Sequence, residues 1–226
     1  MTIPEVDGRT ARRAVSTRKI VRAAAELFAE QGYGSTTMDE VAEAAGVSKG
    51  TIFNNVSSKA DLGALVIQTG ADELAGTMED ARTGLVGWDA LTAITLSVMQ
   101  RIDAEPALAQ VLVTELFRPS RPWSAQLPAA RARLLAPLAA VLGEVADQRR
   151  TAGVTIAAEH PGNIESVAIS LFGALVNPTL DRLAYPGPSL DTVHNGLVAA
   201  ISGLRPNGTE GSLAVRHAEP AGAHDL

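Results

Sequence analysis

The stretch Gly46 to Lys59, G-V-S-K-G-T-I-F-N-N-V-S-S-K, decides the fold. It follows Thr37 to Ala45, T-M-D-E-V-A-E-A-A, an amphipathic run that closes on Gly46. Thr37 and Glu40 have the Thr-x-x-Glu spacing of a capping box, in which two side chains satisfy two unpaired backbone N–H groups at a helix start. Gly46 tolerates the left-handed backbone on which helices often end, and Ser48 is a natural N-cap for what comes next. The pattern predicts two short helices joined by a tight turn, with Val47 turned inward to pin it. The second helix has a polar, mostly small outward face of Lys49, Thr51, Asn54 and Asn55. A face of that kind can enter the DNA major groove and hydrogen-bond to base edges and phosphates.

Outward from this unit the punctuation stays helical. From Thr17 to Gln31, apolar Ile20, Val21, Ala24, Leu27 and Phe28 recur on one stripe at helical spacing, and Gly32 and Gly34 end the run. Leu27, Phe28, Val41, Ala42, Ala45, Val47, Ile52 and Val56 are the expected core of a three-helix head. Ser58 with Asp61 repeats the capping pattern and starts a fourth helix, Lys59 to about Arg82. That helix contains Gly63, Gly70 and Gly76, each costing up to about 1 kcal/mol against Ala in a helix interior. They make it either a soft lever or a surface for close packing. Further helices are expected near Asp89–Ala104, Pro106–Phe117, Ser124–Thr151, Asn163–Leu183 and Ser189–Leu204. Residues 118–123 form a loop, and Pro137 and Pro178 should kink or break their helices.

Composition agrees with an all-α chain. Of 226 residues, 46% are hydrophobic and only 4% aromatic, which suits helices better than a β-sandwich. There is no Cys, so disulfides and thiolate metal sites are excluded. The longest stretch without a charge, Ser166 to Leu180, is interrupted by Asn177 and Pro178 and falls short of the about 20 apolar residues that span a membrane. No apolar signal core opens the chain, so a cytoplasmic protein with no membrane partner is expected. The net charge of −6 is unevenly spread. Residues 1–62 balance to zero and hold every lysine (Lys19, Lys49, Lys59), while Arg9, Arg12, Arg13, Arg18, Lys19 and Arg22 crowd the approach to the first helix. A local basic arm can contact phosphates while an acidic body keeps the protein soluble; an isolated run of this kind would read as a solvated tail.

With these landmarks assembled, L-F-x-E-x-G-Y, T-T, A-G-V-S-K-G-T and S-K-x-x-L, the segment Thr17 to Leu62 resembles the N-terminal domain of the TetR (tetracycline-repressor-like) family. The resemblance implies a homodimeric repressor that binds double-stranded DNA at a palindromic operator and is released by a small-molecule effector. By position it gives Thr37 a phosphate contact and places Ser48, Lys49, Gly50 and Thr51 at the front of the recognition helix. Lys59 becomes a phosphate-binding lysine at a helix N-terminus, where free N–H groups assist. Phe53 stands where the family usually has Tyr, keeping the packing without the hydroxyl. Asn55 stands for the usual Tyr or His, and Val56 for Phe. Altered base preference is the expected consequence. Asn54 and Asn55 have the chemistry to pair bidentately with adenine, although an exposed Asn near a helix end also serves as a cap.

The rival class is an enzyme, because Gly46-Val47-Ser48-Lys49-Gly50 matches G-x-S-x-G. That nucleophile elbow needs a strand leading into it, a sheet beneath it, and a downstream acid and His. Here a capped helix precedes it, and His160, His194, His217 and His224 are scattered. No His pair has metal spacing and no phosphate-cradling glycine loop is present, so neither catalysis, cofactor nor metal is expected.

The expected organisation is a basic N-terminal arm (1–16), a helix-turn-helix DNA-binding domain (17–62), a helical effector-binding and dimerisation domain (63–204) and a disordered tail (205–226). Val167, Leu171, Leu175, Leu197, Val198 and Ile201, interspersed with small Ala168, Gly173, Ala174, Gly196 and Ala200, either pair the last two helices with a second copy or form internal core. Met99, Leu116, Phe117, Trp123 and Phe172 are candidate linings of an effector pocket, with ordinary core as their alternative role. So few aromatics favour an apolar or weakly polar ligand.

Overall fold

In the computed structural model, the described residues are 8–116, 118–153, 161–185 and 187–206, with side chains described from Arg13 and, after the second break, from Ile164. Among them every regular element is helical. They are α1 (Gly8–Ser35), α2 (Met38–Ala44), α3 (Lys49–Asn55), α4 (Lys59–Ala81), α5 (Gly87–Ala104), α6 (Pro106–Leu116), α7 (Leu127–Thr151), α8 (Pro161–Ala184) and α9 (Leu190–Ala200). Short 3₁₀ turns lead into α7 at Ser124–Gln126 and follow α9 at Ser202–Leu204. No helix among the described residues is long and apolar enough to cross a membrane.

The chain begins its first helix earlier than the apolar stripe indicates. Helix α1 starts at Gly8, so the described part of the expected arm is helical. Regular helix fails at Gly32 (φ 79, ψ 155), a conformation only glycine adopts easily, and one further turn follows to Ser35. Thr36, buried at 2% exposure, then donates its hydroxyl to the Gly32 carbonyl at 3.0 Å, satisfying an end that the break leaves open. The helix-turn-helix is built as its signals require. The Thr37–Glu40 capping box closes in both directions, Gly46 turns at φ 62, and Ser48 Oγ accepts from Thr51 N at 3.2 Å.

Phe28, Val41, Ala42, Ala45, Ile52 and Val56 are buried as expected, with Leu27 and Val47 partly buried against them. This core continues without a break into that of the body, where α4 lies against α5, α6 and α7, and α8 and α9 close the far side. The glycines of α4 divide by environment. A β-carbon on Gly63 would fall 2.3 Å from Trp123 Cζ3, and one on Gly70 would meet Leu108 Cδ1 at 3.3 Å, whereas Gly76 faces open space. Gly63 and Gly70 are therefore close-packing positions.

Two expectations need correction, and one stated alternative is selected. Helices α7 and α8 run on through Pro137 and Pro178; packing of long buried faces around each proline offsets a cost of about 3 kcal/mol, and Pro137 itself is buried. Leu171, Leu175 and Leu197 are internal core, 4%, 0% and 8% exposed, because α8 and α9 bury them against their own chain. Arg22, grouped above with the basic arm, pairs instead with Glu105 at the end of α5. Of the proposed disordered tail, 205–226, residues 207–226 lie outside the described residues, while the Arg205 carbonyl accepts from Arg149 at 3.1 Å.

Candidate nucleic-acid interface

Helix α3 is a seven-residue element held by its caps and by one buried anchor, Ile52, which is fully enclosed. With Ile52 and Val56 turned inward, Lys49, Gly50, Phe53 and Asn54 face out. Phe53 is 52% exposed, a large apolar ring left on an otherwise polar edge. Ser48 and Thr51 form one hydroxyl pair, their oxygens 2.9 Å apart, at the front of the helix. Lys49 Nζ lies 2.6 Å from Asp39 Oδ2 of α2, with both side chains well exposed. Such a pair contributes little to folding, so the lysine can exchange its partner for another anion.

The sequence-selected residues do not all share this edge. Asn55 is half-buried and points at α1: its Nδ2 donates to the Thr51 carbonyl at 2.8 Å and its Oδ1 lies 2.8 Å from the Thr17 hydroxyl. Both ends of the amide are occupied, so of the two asparagines only Asn54 presents an exposed side chain. The Asn54 carbonyl accepts from Arg13 at 3.4 Å, which braces the end of α3 against α1. Thr37 is exposed, with its hydroxyl engaged by Glu40 at 2.8 Å. The Glu40 carboxyl is held below its ordinary range, first by the Thr37 backbone N–H and then by the Thr37 hydroxyl. Ser48, the would-be nucleophile of the G-x-S-x-G motif, sits at a helix N-cap after α2, not at the end of a strand.

Lys59 opens α4 beside its N-cap Ser58 and folds back onto the head. Its Nζ donates to the Gly34 carbonyl at 2.9 Å and lies 4.4 Å from the centroid of the Tyr33 ring. Tyr33 in turn meets Phe28 edge-on at 5.4 Å and Trp123 at 4.5 Å. Burial pushes the Tyr33 hydroxyl up, partly opposed by the Arg121 charge. The aromatic seam between head and body follows from Gly32, whose turn carries Tyr33 across. Its residues are far apart in sequence, and neither spacing nor composition marks them as neighbours.

The candidate effector residues separate. Leu116 and Phe172 meet at an apolar cleft of about 50 Å³ with Leu134, Leu135 and Ile169. Met99 is fully buried core, since α5 turns that face inward. Trp123 belongs to the head–body seam, and Phe117 lies outside the described residues.

This head, a capped helix-turn-helix carried on a helical body, is the architecture of a helix-turn-helix regulatory protein. Residues 20–64, which make up this head, match the family of bacterial regulatory proteins, tetR family. It is 38% identical over 63 residues to the HTH-type transcriptional activator FasR of Mycolicibacterium smegmatis, covering 28% of this chain and 29% of that protein. It is 28% identical over 120 residues to the HTH-type transcriptional repressor KstR2 of Rhodococcus jostii, covering 51% of this chain and 57% of the relative. The matches thus span less than two thirds of either relative. The fold is shared more widely. The transcriptional regulator FadR of Bacillus subtilis, solved in complex with stearoyl-CoA, superposes with a TM-score of 0.65 at 18% identity, covering 81% of this chain and 96% of FadR. PfmR of Thermus thermophilus gives 0.61 at 19% identity, covering 79% and 94%.

Proposed function

We propose that this protein is a sequence-specific DNA-binding transcriptional regulator: a homodimeric repressor that leaves a palindromic operator when a small molecule binds its body. The observation that carries the reading is the exposed edge of α3, Lys49 to Asn54, on a helix fixed from behind by Ile52 and Asn55. Lys49 and Asn54 supply base and phosphate contacts from this edge, and Ser48, Thr51, Thr37 and Lys59 flank it for the backbone. Lys59 reaches a phosphate by exchanging the Gly34 carbonyl for it.

Pairing of two copies places two α3 edges about 34–36 Å apart to read two half-sites. Since Leu171, Leu175 and Leu197 are internal, pairing uses the outward faces of α8 and α9, where Ile169, Ala174, Gly196 and Ala200 are exposed. The effector enters the apolar cleft at Leu116 and Phe172, widening it, and shifts the population toward a dimer whose heads are wrongly spaced. The relatives named as an activator and a repressor leave the sign of regulation to experiment.

Footprinting on the DNA flanking its own gene tests this. A protected inverted repeat is expected; uniform coverage without a preferred site favours a helical DNA-binding or protein-interaction module without ligand control. Lys49→Ala should weaken the operator complex, and Lys59→Ala should also lower its salt slope by about one unit. Wild-type binding by both variants overturns the residue assignments.

A further inference from the structure

Where the end of α1 meets α6 and the 118–123 segment, the structure leaves a cleft of about 150 Å³. A cavity of about that size holds one benzene ring. Phe28, Tyr33 and Trp123 supply aromatic walls, and the guanidinium groups of Arg118 and Arg121 stand at the lining. The acid present, Glu115, is already neutralised: it is buried and takes two hydrogen bonds from Arg121, at 2.8 and 2.9 Å. Arg118 is exposed and has no ion-pair partner among the described residues. The three charges therefore sum to one unit of positive charge beside an aromatic slot.

A second observation concerns Trp123 itself. It is 2% exposed, yet its indole Nε1 has no hydrogen-bond partner among the described residues. The Cε3–Cζ3 edge of the ring is pressed against Gly63, so the N–H edge faces away from α4. A buried donor left without an acceptor is costly and calls for a partner. Indole N–H is a donor only, so the missing group is an acceptor.

We propose that this cleft binds a single-ring aromatic carboxylate. The ring fills the slot between Phe28, Tyr33 and Trp123, and the carboxylate accepts from Arg118, from an outward N–H of Arg121 and from the Trp123 indole N–H. The volume excludes a nucleotide, and two guanidinium groups disfavour a cation. Bound there, the ligand wedges the end of α1 against α6 and presses on Tyr33, over which Lys59 lies. Occupancy would then reset how the head sits on the body. The binding claim stands by itself, while its effect on DNA rests on the regulator reading.

The test is isothermal titration of the full chain, without DNA, with benzoate, benzamide and cyclohexanecarboxylate. Quenching of Trp123 fluorescence in a Trp88→Phe background provides a second readout. Saturable benzoate binding is expected, weakened by at least about tenfold in Arg118→Ala, whose exposed side chain has no ion-pair partner among the described residues. Benzamide, lacking the charge, and cyclohexanecarboxylate, lacking the aromatic ring, should each bind more weakly. Absence of saturable benzoate binding by a folded wild-type chain overturns the proposal, as does affinity unchanged in Arg118→Ala. Because no DNA is present, a chain that binds benzoate but no operator refutes the regulator reading only, and the converse result refutes the cleft only.

Discussion

The indole of Trp123 occupies the space any side chain on Gly63 would need: a β-carbon there would fall 2.3 Å from Cζ3 and 2.4 Å from Cε3. Propensity and packing thus make opposite predictions for Gly63→Ala. Helix propensity favours the alanine by up to about 1 kcal/mol, but the Trp123 ring is buried against Gly63, so overpacking at about 1–3 kcal/mol should win. Urea denaturation should show Gly63→Ala destabilised. Gly76→Ala, with open space around it, should be stabilised by a few tenths to about 1 kcal/mol. Equal effects at the two sites would mean that the seam yields more readily than its geometry implies.

Lys49 and Asp39 form an exposed pair across the turn, and any phosphate must compete with that carboxylate. Asp39→Asn should therefore tighten DNA binding by up to about fivefold, the equivalent of a surface pair worth at most about 1 kcal/mol. The salt slope should steepen by up to about one unit as Lys49 becomes free to displace a counterion. Thermal stability should scarcely change. Weaker binding by Asp39→Asn would show that the aspartate orients the lysine and does not restrain it.

The head was legible because local chemistry specifies it. Thr37, Glu40, Gly46 and Ser48 act on backbone groups within four residues, so spacing alone locates both short helices. The stripe residues Ile20, Phe28, Val41 and Ile52 are likewise fixed by period. What spacing does not encode is which face of a later helix turns inward. Leu171, Leu175 and Leu197 serve a dimer or a core equally well until α5 and α7 are in place. The Tyr33–Trp123 contact joins residues 90 positions apart, and its strongest sequence trace was Gly63, an expensive glycine in a helix interior. Asn55 was assigned to DNA because its position lies on the reading helix, yet a seven-residue helix has too few turns to hold every polar residue outward.

Asn54 and Asn55 adjoin in sequence but should separate in experiment. Asn55→Ala removes the contact to Thr17 and the hydrogen bond to the Thr51 carbonyl. A loss of about 1–2 kcal/mol is expected, from two partly buried hydrogen bonds. Asn54→Ala leaves only surface altered and should hold stability within about 0.5 kcal/mol, while relaxing base preference at one operator position. Selection of binding sites from random DNA, alongside denaturant melts, reads both. If Asn55→Ala changed sequence preference with stability intact, the amide would have to swing outward on the duplex.

The capping box at Thr37 gives the head a defined acid response. Hydrogen bonds from the Thr37 N–H and hydroxyl hold the Glu40 carboxyl below its ordinary value of 4.5. A carboxyl whose folded pKa is depressed contributes fully above its unfolded value, and that contribution disappears as pH falls through the folded value. The stability difference between wild type and Glu40→Ala should therefore be flat from neutrality down to the ordinary carboxylate range and shrink at more acid pH. Urea melts at stepped pH provide the comparison. In Thr37→Ala the hydroxyl is lost but the backbone N–H remains. Since that N–H is the larger cause of the depression, the acid-dependent part should be reduced without vanishing. A difference that widened on acidification would place the favoured proton on the wrong side of the folding equilibrium and rule out the box as its source.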